Sequence, residues 1–486
     1  MSELWQLTAV EAVALLRAKE VSPTELVQAA IRRIEAVDPA VNALPTRCFE
    51  RALAHAREIE KTAVSTPDDA RGLGGLPVAV KDITDVAGVR STFGSILFAQ
   101  RVPQRSDIVV ETLEGRGAIV VAKANTPAFA SAGGLNTWNE LFGATLNPWN
   151  TQLACGGSSG GSAVAVATGQ VWLATGTDLG GSLRQPAAFC SVVGLRPTPG
   201  RVARGPVPLP HDPLCVVGPI ARTVADAALA LDAMAGAHAL DPISLPEPAT
   251  RFVEAAAGRR CPQRVAFSRD LGLCPVEAEV AAACECAVAQ FVHAGARVEA
   301  DQPDLSAGKE ILFTLRPAWL AAHWGDLLDA QRHALDPGFA ARLECGLKVP
   351  ARELWRAEQR RAELARRVVE FFQHYDVLAC PTVPVAAFPA TTRNITHIGN
   401  RALDEENDWM MLTYAISLTG CPAISVPCGF TADGRPVGVQ LVCAPRAEAQ
   451  LLSAAAVLED IVDLGVRTPI DPRARAEADV MNKAKT

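Results

Sequence analysis

The sequence predicts an α/β protein built on a mixed β-sheet. Three observations carry that expectation: short apolar runs of strand length, amphipathic stretches of helical period between them, and a turn dipeptide set between two apolar runs. Residues 1–60 read as helices. Thr8-Ala9-Val10-Glu11 and Ser22-Pro23-Thr24-Glu25 each fit a capping box, in which a hydroxyl and a carboxylate satisfy the orphan amides of a first turn, with Pro23 at the tolerated first position. Leu26, Val27, Ala30, Ile31 and Ile34 then recur at helical spacing, so this outer layer is expected to rest one face on something larger. A polar connection over residues 62–75 leads to Leu76-Pro77-Val78-Ala79-Val80, a buried-strand candidate that Lys81 ends. Residues 108–124 predict a helix followed by the strand-like run Ala118-Ile119-Val120-Val121-Ala122. Farther on, residues 223–235 read as helix and 264–267 as strand. Residues 354–372 read as a charged helix whose arginines form a solvated face, and 375–380 as a buried strand closed by Pro381. Asp433-Gly434 between the runs 423–427 and 437–443 predicts a hairpin.

No repeat or low-complexity linker interrupts this pattern, so one domain over residues 1–486 is expected. Within it, 1–60 form a helical layer, 75–205 the core with the chemistry, about 205–350 a variable region, and 350–470 the C-terminal part of the core.

Charge and composition narrow the function. The chain has 46 Lys+Arg against 53 Asp+Glu, a formal charge of −7, which argues against a nucleic-acid partner because phosphate backbones recruit clustered cations. Thirteen cysteines, an odd number with one C-x-C at Cys284 and Cys286 and no C-x-x-C, suit a reducing compartment. The N-terminus lacks a basic segment followed by an apolar core, and no stretch approaches the ~20 apolar residues of a spanning helix, so a cytoplasmic protein without membrane contact is expected. The eight histidines show no H-x-H, H-x-x-x-H or H-E-x-x-H spacing, so no metal site is locally encoded. Only 8 of the 46 basic residues are lysines, which makes each of them informative.

The least ordinary segment is 136–205, rich in Gly, Ser, Thr and Asn. It holds Gly156-Gly157-Ser158-Ser159-Gly160-Gly161-Ser162 and Thr177-Asp178-Leu179-Gly180-Gly181-Ser182-Leu183-Arg184. A phosphate loop would need a lysine where Ser162 stands. A nucleophile elbow fits residues 157–161 but requires an acid and a histidine farther on. The S-x-x-K at Ser306 to Lys309 lacks its companion motifs. Glycines in one such cluster often serve tight packing alone. Two clusters flanking an apolar run point instead to chemistry: consecutive glycines let several amides converge on one spot, and the adjoining serine puts a hydroxyl beside it. Serine needs a base. Lys81 qualifies, because an apolar setting lowers an ammonium pKa toward neutrality, whereas arginine stays protonated. The competing reading pairs Lys81 with Asp82 or Asp85 as an ordinary edge charge.

Residues 75–82, 142–149, 156–162, 176–187, 193–201, 375–384 and 420–427 together closely resemble the amidase signature family over nearly the whole chain. The resemblance implies a central twisted mixed sheet sandwiched by helices, and a Ser-Ser-Lys triad that needs no cofactor or metal. Carried over by position, Ser182 is the acylated nucleophile, Ser158 the bridging serine held in a cis peptide, and Lys81 the base. Leu179, Gly180, Gly181 and Ser182 would supply oxyanion-hole amides, with Thr177, Asp178 and Arg184 as supports. Ser131 and Trp138 are implied substrate contacts, and Cys155 stands where many relatives have proline. Cys190 and Cys215 fall near the site in sequence, where packing is the commoner use of a buried thiol. The implied activity is hydrolysis of a small or linear non-peptide amide, with water as second substrate and a homodimer as the commonest assembly. The alternative within the family is the glutamine-hydrolysing subunit of a tRNA-dependent amidotransferase, which works with a partner protein. Against that alternative, Thr126-Pro127-Ala128-Phe129-Ala130 replaces the Met-Asp-Glu-Phe-like run associated with it.

Overall fold

The computed structural model describes residues 3–62, 71–131, 136–404 and 408–474. Part of the expected 62–75 connection therefore lies outside the described residues. The strands of the main sheet are β1 (Thr46–Arg47), β2 (Pro77–Lys81), β3 (Ile119–Ala124), β4 (Leu173–Asp178), β5 (Val193–Arg196), β6 (Val216–Ala221), β7 (Arg264–Phe267), β8 (Arg297–Ala300), β9 (Val377–Pro381), β10 (Ala423–Phe430) and β11 (Pro436–Val442). Their order across the sheet is β1-β3-β2-β4-β6-β5-β10-β11-β9-β7-β8. β2 runs parallel to β3 and β4, and β7 parallel to β8 and β9, while β4–β6 and the β10–β11 hairpin are antiparallel. The sheet is therefore mixed, as the pattern predicts.

Side-chain alternation explains how its two faces are covered. Val78 and Val80 of β2, with Val120 and Leu173, join one apolar cluster under the helices Ala9–Arg17, Val224–Met234 and Glu448–Ile461. Ala79, with Ile119, Val121 and Ala174, joins another under Pro23–Val41, Phe49–Thr62 and Gly160–Ala167. Lys81 shares the face of Ala79, the side on which the helix that begins at Gly160 lies. Both expected capping boxes form, with Thr8 and Ser22 accepting from the amides of Glu11 and Glu25 and the carboxylates answering in return. The long charged helix spans Ala351–Phe371 and departs from expectation at one arginine: Arg361 is buried and donates to Leu418 O at 3.1 Å, so the solvated face is interrupted. No helix of the described residues is long and apolar enough to cross a membrane, and all thirteen cysteines are free.

Candidate active site

Parallel strands bring the expected base and its neighbours to one sheet edge, since their carboxyl ends fall on the same side. Val78 lies opposite Leu173 and Ala79 opposite Ala174, which carries Lys81 alongside the following residues of β4. The Lys81 amide donates to Thr175 Oγ1 at 3.2 Å. Its fully buried Nζ lies 2.7 Å from Ser158 Oγ and 2.9 Å from both Ser159 Oγ and Thr177 Oγ1. Three hydroxyls and no carboxylate surround it. Burial pushes the Lys81 ammonium down to about 7, against weaker pulls from Cys215 and Asp178. The competing pairing with Asp82 or Asp85 does not form, because Asp82 faces Lys123 at 3.2 Å and Asp85 is held by Arg101.

The two serines beside Lys81 differ in their other partners. Ser159 Oγ accepts from the Thr177 amide at 3.3 Å and lies 3.4 Å from Thr177 O, so it stitches the loop to β4. Ser158 Oγ opens on a cavity of about 400 Å³ that Ser182 also lines. The peptide between Gly157 and Ser158 is cis. Thr137 braces this loop, donating to Gly156 O at 2.9 Å and accepting from the Gly160 amide at 3.1 Å. Ser162, the residue a phosphate loop would replace with lysine, spends its hydroxyl on Thr175 O at 2.8 Å.

Ser182 stands in the turn between β4 and the helix Arg184–Cys190, and its carbonyl accepts from the Ser159 amide at 3.2 Å, tying the two Gly-Ser loops together. Asp178 organises this turn. Its carboxylate accepts from the Gly181 and Leu183 amides and is flanked by the fully buried guanidiniums of Arg184 and Arg196 at 2.9 and 3.3 Å. Burial alone would raise the Asp178 carboxyl, but the two arginines hold it well below the usual carboxylate range. Arg196, not singled out as a support from the sequence, thus shares the role expected of Arg184. It also donates to Leu214 O and Ser417 O, partners far along the chain that no local pattern announces.

The four-amide oxyanion hole needs correction at Gly181. Its amide donates to Asp178 Oδ1 at 2.7 Å, because the tight turn aims it at the carboxylate that the arginines fix. Leu179, Gly180 and Ser182 line the cavity, and among the described residues no protein group accepts from their amides. Glycine is required at 180 because a Cβ there would collide with the Tyr414 ring, and at 181 because φ is +127°. Ser131 lines the same cavity, whereas Trp138 does not: its short strand pairing turns it toward the Arg393 side chain, 5.6 Å from the ring centroid. Residues 132–135, between these two expected contacts, lie outside the described residues.

Burial pushes the Cys155 thiol up to about 12 and raises Cys190 and Cys215 as well, which disfavours the reactive thiolate at all three. A larger concavity of about 1030 Å³, bordered by Trp149, Phe388, His397 and Arg435, includes none of the residues around Lys81. The smaller cavity is the candidate site, because Ser158 and Ser182 line it together with Leu179 and Gly180, and the Lys81 amine lies 2.7 Å from Ser158 Oγ. Among the described residues no group of three or more His, Cys, Asp or Glu could hold a metal ion.

Comparison with known proteins finds relatives over nearly the whole chain. The Amidase family profile matches residues 25–452. An acylamidase of Rhodococcus erythropolis is 36% identical over 470 residues, covering 96% of this chain and 97% of the relative. A glutamyl-tRNA(Gln) amidotransferase subunit of Moorella thermoacetica is 35% identical, covering 96% of this chain and 99% of the relative. Among solved structures, a bacterial aryl acylamidase of the amidase signature family superposes with a TM-score of 0.87 at 26% identity, over 98% of both chains.

Proposed function

Because the chain belongs to the amidase signature family, enzymes that hydrolyse C–N bonds, we propose that it cleaves a small or linear non-peptide amide through an acyl-enzyme on Ser182. One observation carries the reading: a buried lysine amine near its neutral form lies 2.7 Å from the hydroxyl of a cavity-lining serine. Neutral Lys81 takes a proton from Ser158, and Ser158 takes one from Ser182 as its Oγ attacks the carbonyl carbon. The charge that develops on the carbonyl oxygen is met by the amides of Leu179, Gly180 and Ser182, each donor contributing roughly 3 kcal/mol by analogy with serine hydrolases. Ser158 then gives its proton to the leaving nitrogen and recovers one from Lys81, so that the amine departs neutral and Lys81 is again a free amine. Water attacks the acyl-enzyme by the same relay and releases the acid.

The cavity supports an aryl or alkyl amide. Phe93, Phe129, Trp319, Trp324 and Tyr414 supply most of its aromatic wall, as expected of a site that packs an apolar group. Kinship with an amidotransferase favours the second reading, glutamine hydrolysis in a complex. The purified single chain distinguishes them: hydrolysis of acetanilide and butyranilide without any partner supports the amidase, and turnover of glutamine appearing only with a partner protein supports the transferase. The free thiols fit work in a reducing compartment, the cytoplasm.

A further inference from the structure

Among the described residues, one cation in the cavity wall has no counter-ion. The helix Gly308–Trp324 presents positions 316, 319, 320, 323 and 324 to the cavity, one face at helical spacing. Three arginines line this space. Arg101 is gripped by Asp85, with one N–O contact of 2.6 Å, and Arg204 meets Asp212 at 3.4 Å. Arg316 donates to Ser131 Oγ at 3.2 Å and its Cζ lies over the Tyr414 ring, 5.4 Å from the centroid, and among the described residues it meets no carboxylate. Tyr414 is the ring that lies against the Gly180 backbone, so a single aromatic ring separates this guanidinium from the oxyanion loop.

The surroundings favour an incoming anion. One hydroxyl and a π-face leave most of the five N–H donors of Arg316 without an acceptor. Asp85 is neutralised by Arg101, and burial pushes the Asp107 carboxyl up to about 7, which weakens the only other carboxylate among the described residues of the wall. His323, also in the wall, is held by Trp319 O at 2.8 Å, and burial keeps its pKa below the usual value and so disfavours a competing positive charge. A planar guanidinium with free N–H groups is suited to take a carboxylate in two parallel hydrogen bonds.

We propose that Arg316 is a specificity-determining residue that binds a carboxylate carried by the substrate, so that the preferred amides are anionic. The proposal rests on the amidase reading above and names its substrate class. The test uses matched pairs of amides. N-phenylsuccinamate against butyranilide places the carboxylate on the acyl side, and para-acetamidobenzoate against acetanilide places it on the amine side.

The native enzyme is expected to prefer the charged member of one pair, which identifies the side. Arg316→Ala should then lower kcat/KM for that substrate by about 10–100-fold, mainly through KM, while changing its neutral counterpart less than about threefold. Arg316→Lys should retain part of the preference, and Arg316→Gln, which can keep the Ser131 contact, should lose it. Equal activity of the native enzyme on charged and neutral members overturns the proposal. So does an equal fall for both members in Arg316→Ala, or a preference that survives in Arg316→Gln. If the native chain hydrolyses neutral amides only, the proposal fails and the amidase reading stands. If it hydrolyses no amide and takes up no fluorophosphonate probe, the amidase reading itself fails.

Discussion

Two lysines lie in the last residues of neighbouring parallel strands of this sheet and have opposite fates. Val80 lies opposite Lys123 and Lys81 opposite Ala124, so alternation sends the two amines to opposite faces. Both are fully buried, and burial lowers both pKa values. Lys123 meets Asp82 at 3.2 Å and Ser91 Oγ at 2.6 Å, so its charge has a partner. Lys81 meets hydroxyls alone and sits near its neutral form. Burial by itself does not make a base. The absence of a carboxylate beside a buried amine does, because nothing compensates the cost of the ammonium.

The largest expected effect breaks the catalytic half of this contrast. Lys81→Met and Ser182→Ala should each lower kcat by about 10⁴-fold or more, and Ser182→Ala should also abolish labelling by a fluorophosphonate. Undiminished labelling would exclude Ser182 as the nucleophile. Lys123→Met should act on stability, because it strands the buried Asp82 carboxylate at a cost of about 3–5 kcal/mol, read as a lower unfolding midpoint. Lys81→Met, which strands no charge, should cost no more than about 1.5 kcal/mol in the same measurement. Equal destabilisation by the two substitutions would show that the difference in partners does not set their roles.

Smaller effects sharpen the picture around Lys81. Ser158→Ala should lower kcat by about 10²-fold or more, whereas Ser159→Ala, whose hydroxyl serves the Thr177 backbone, should lower it less than about tenfold. The reverse ranking would make Ser159 the bridge. The mildest perturbation is pH. In the proposed relay Lys81 acts as the free amine, and burial lowers its pKa to about 7, so the rate should fall about tenfold for each unit below that value and level off above it. A rate still falling at the same slope between pH 9 and 7 would place the essential base elsewhere.

Much of the molecule was legible locally. The capping boxes at Thr8 and Ser22, the strand ending at Lys81, the β7 strand and the hairpin around Asp433-Gly434 all follow from neighbours within a few residues, and the structure reproduces them. Lys81 stood out because lysine is scarce and this one ends an apolar run. Adjacency carried only the competing reading: Asp82 is next to Lys81 in the chain, yet its partner came from β3. Arg196 and Thr137 could not be assigned for a similar reason, since their work is defined by contacts with Asp178 and Gly156.

Periodicity and turn chemistry thus suffice for the elements, and the contiguous Gly-Ser motifs suffice for the family and the candidate triad, because both are encoded within short stretches of chain. Packing made the finer decisions. The register of β2 against β4 chose the hydroxyls around Lys81, and the arginines on Asp178 turned the Gly181 amide away from the cavity. The fold also brought the helix Gly308–Trp324 to the cavity that Ser182 lines, with Arg316 in the wall. Those outcomes depend on which distant surfaces meet, and one strand's period of two or one helix's period of 3.6 names a face without naming what it will face.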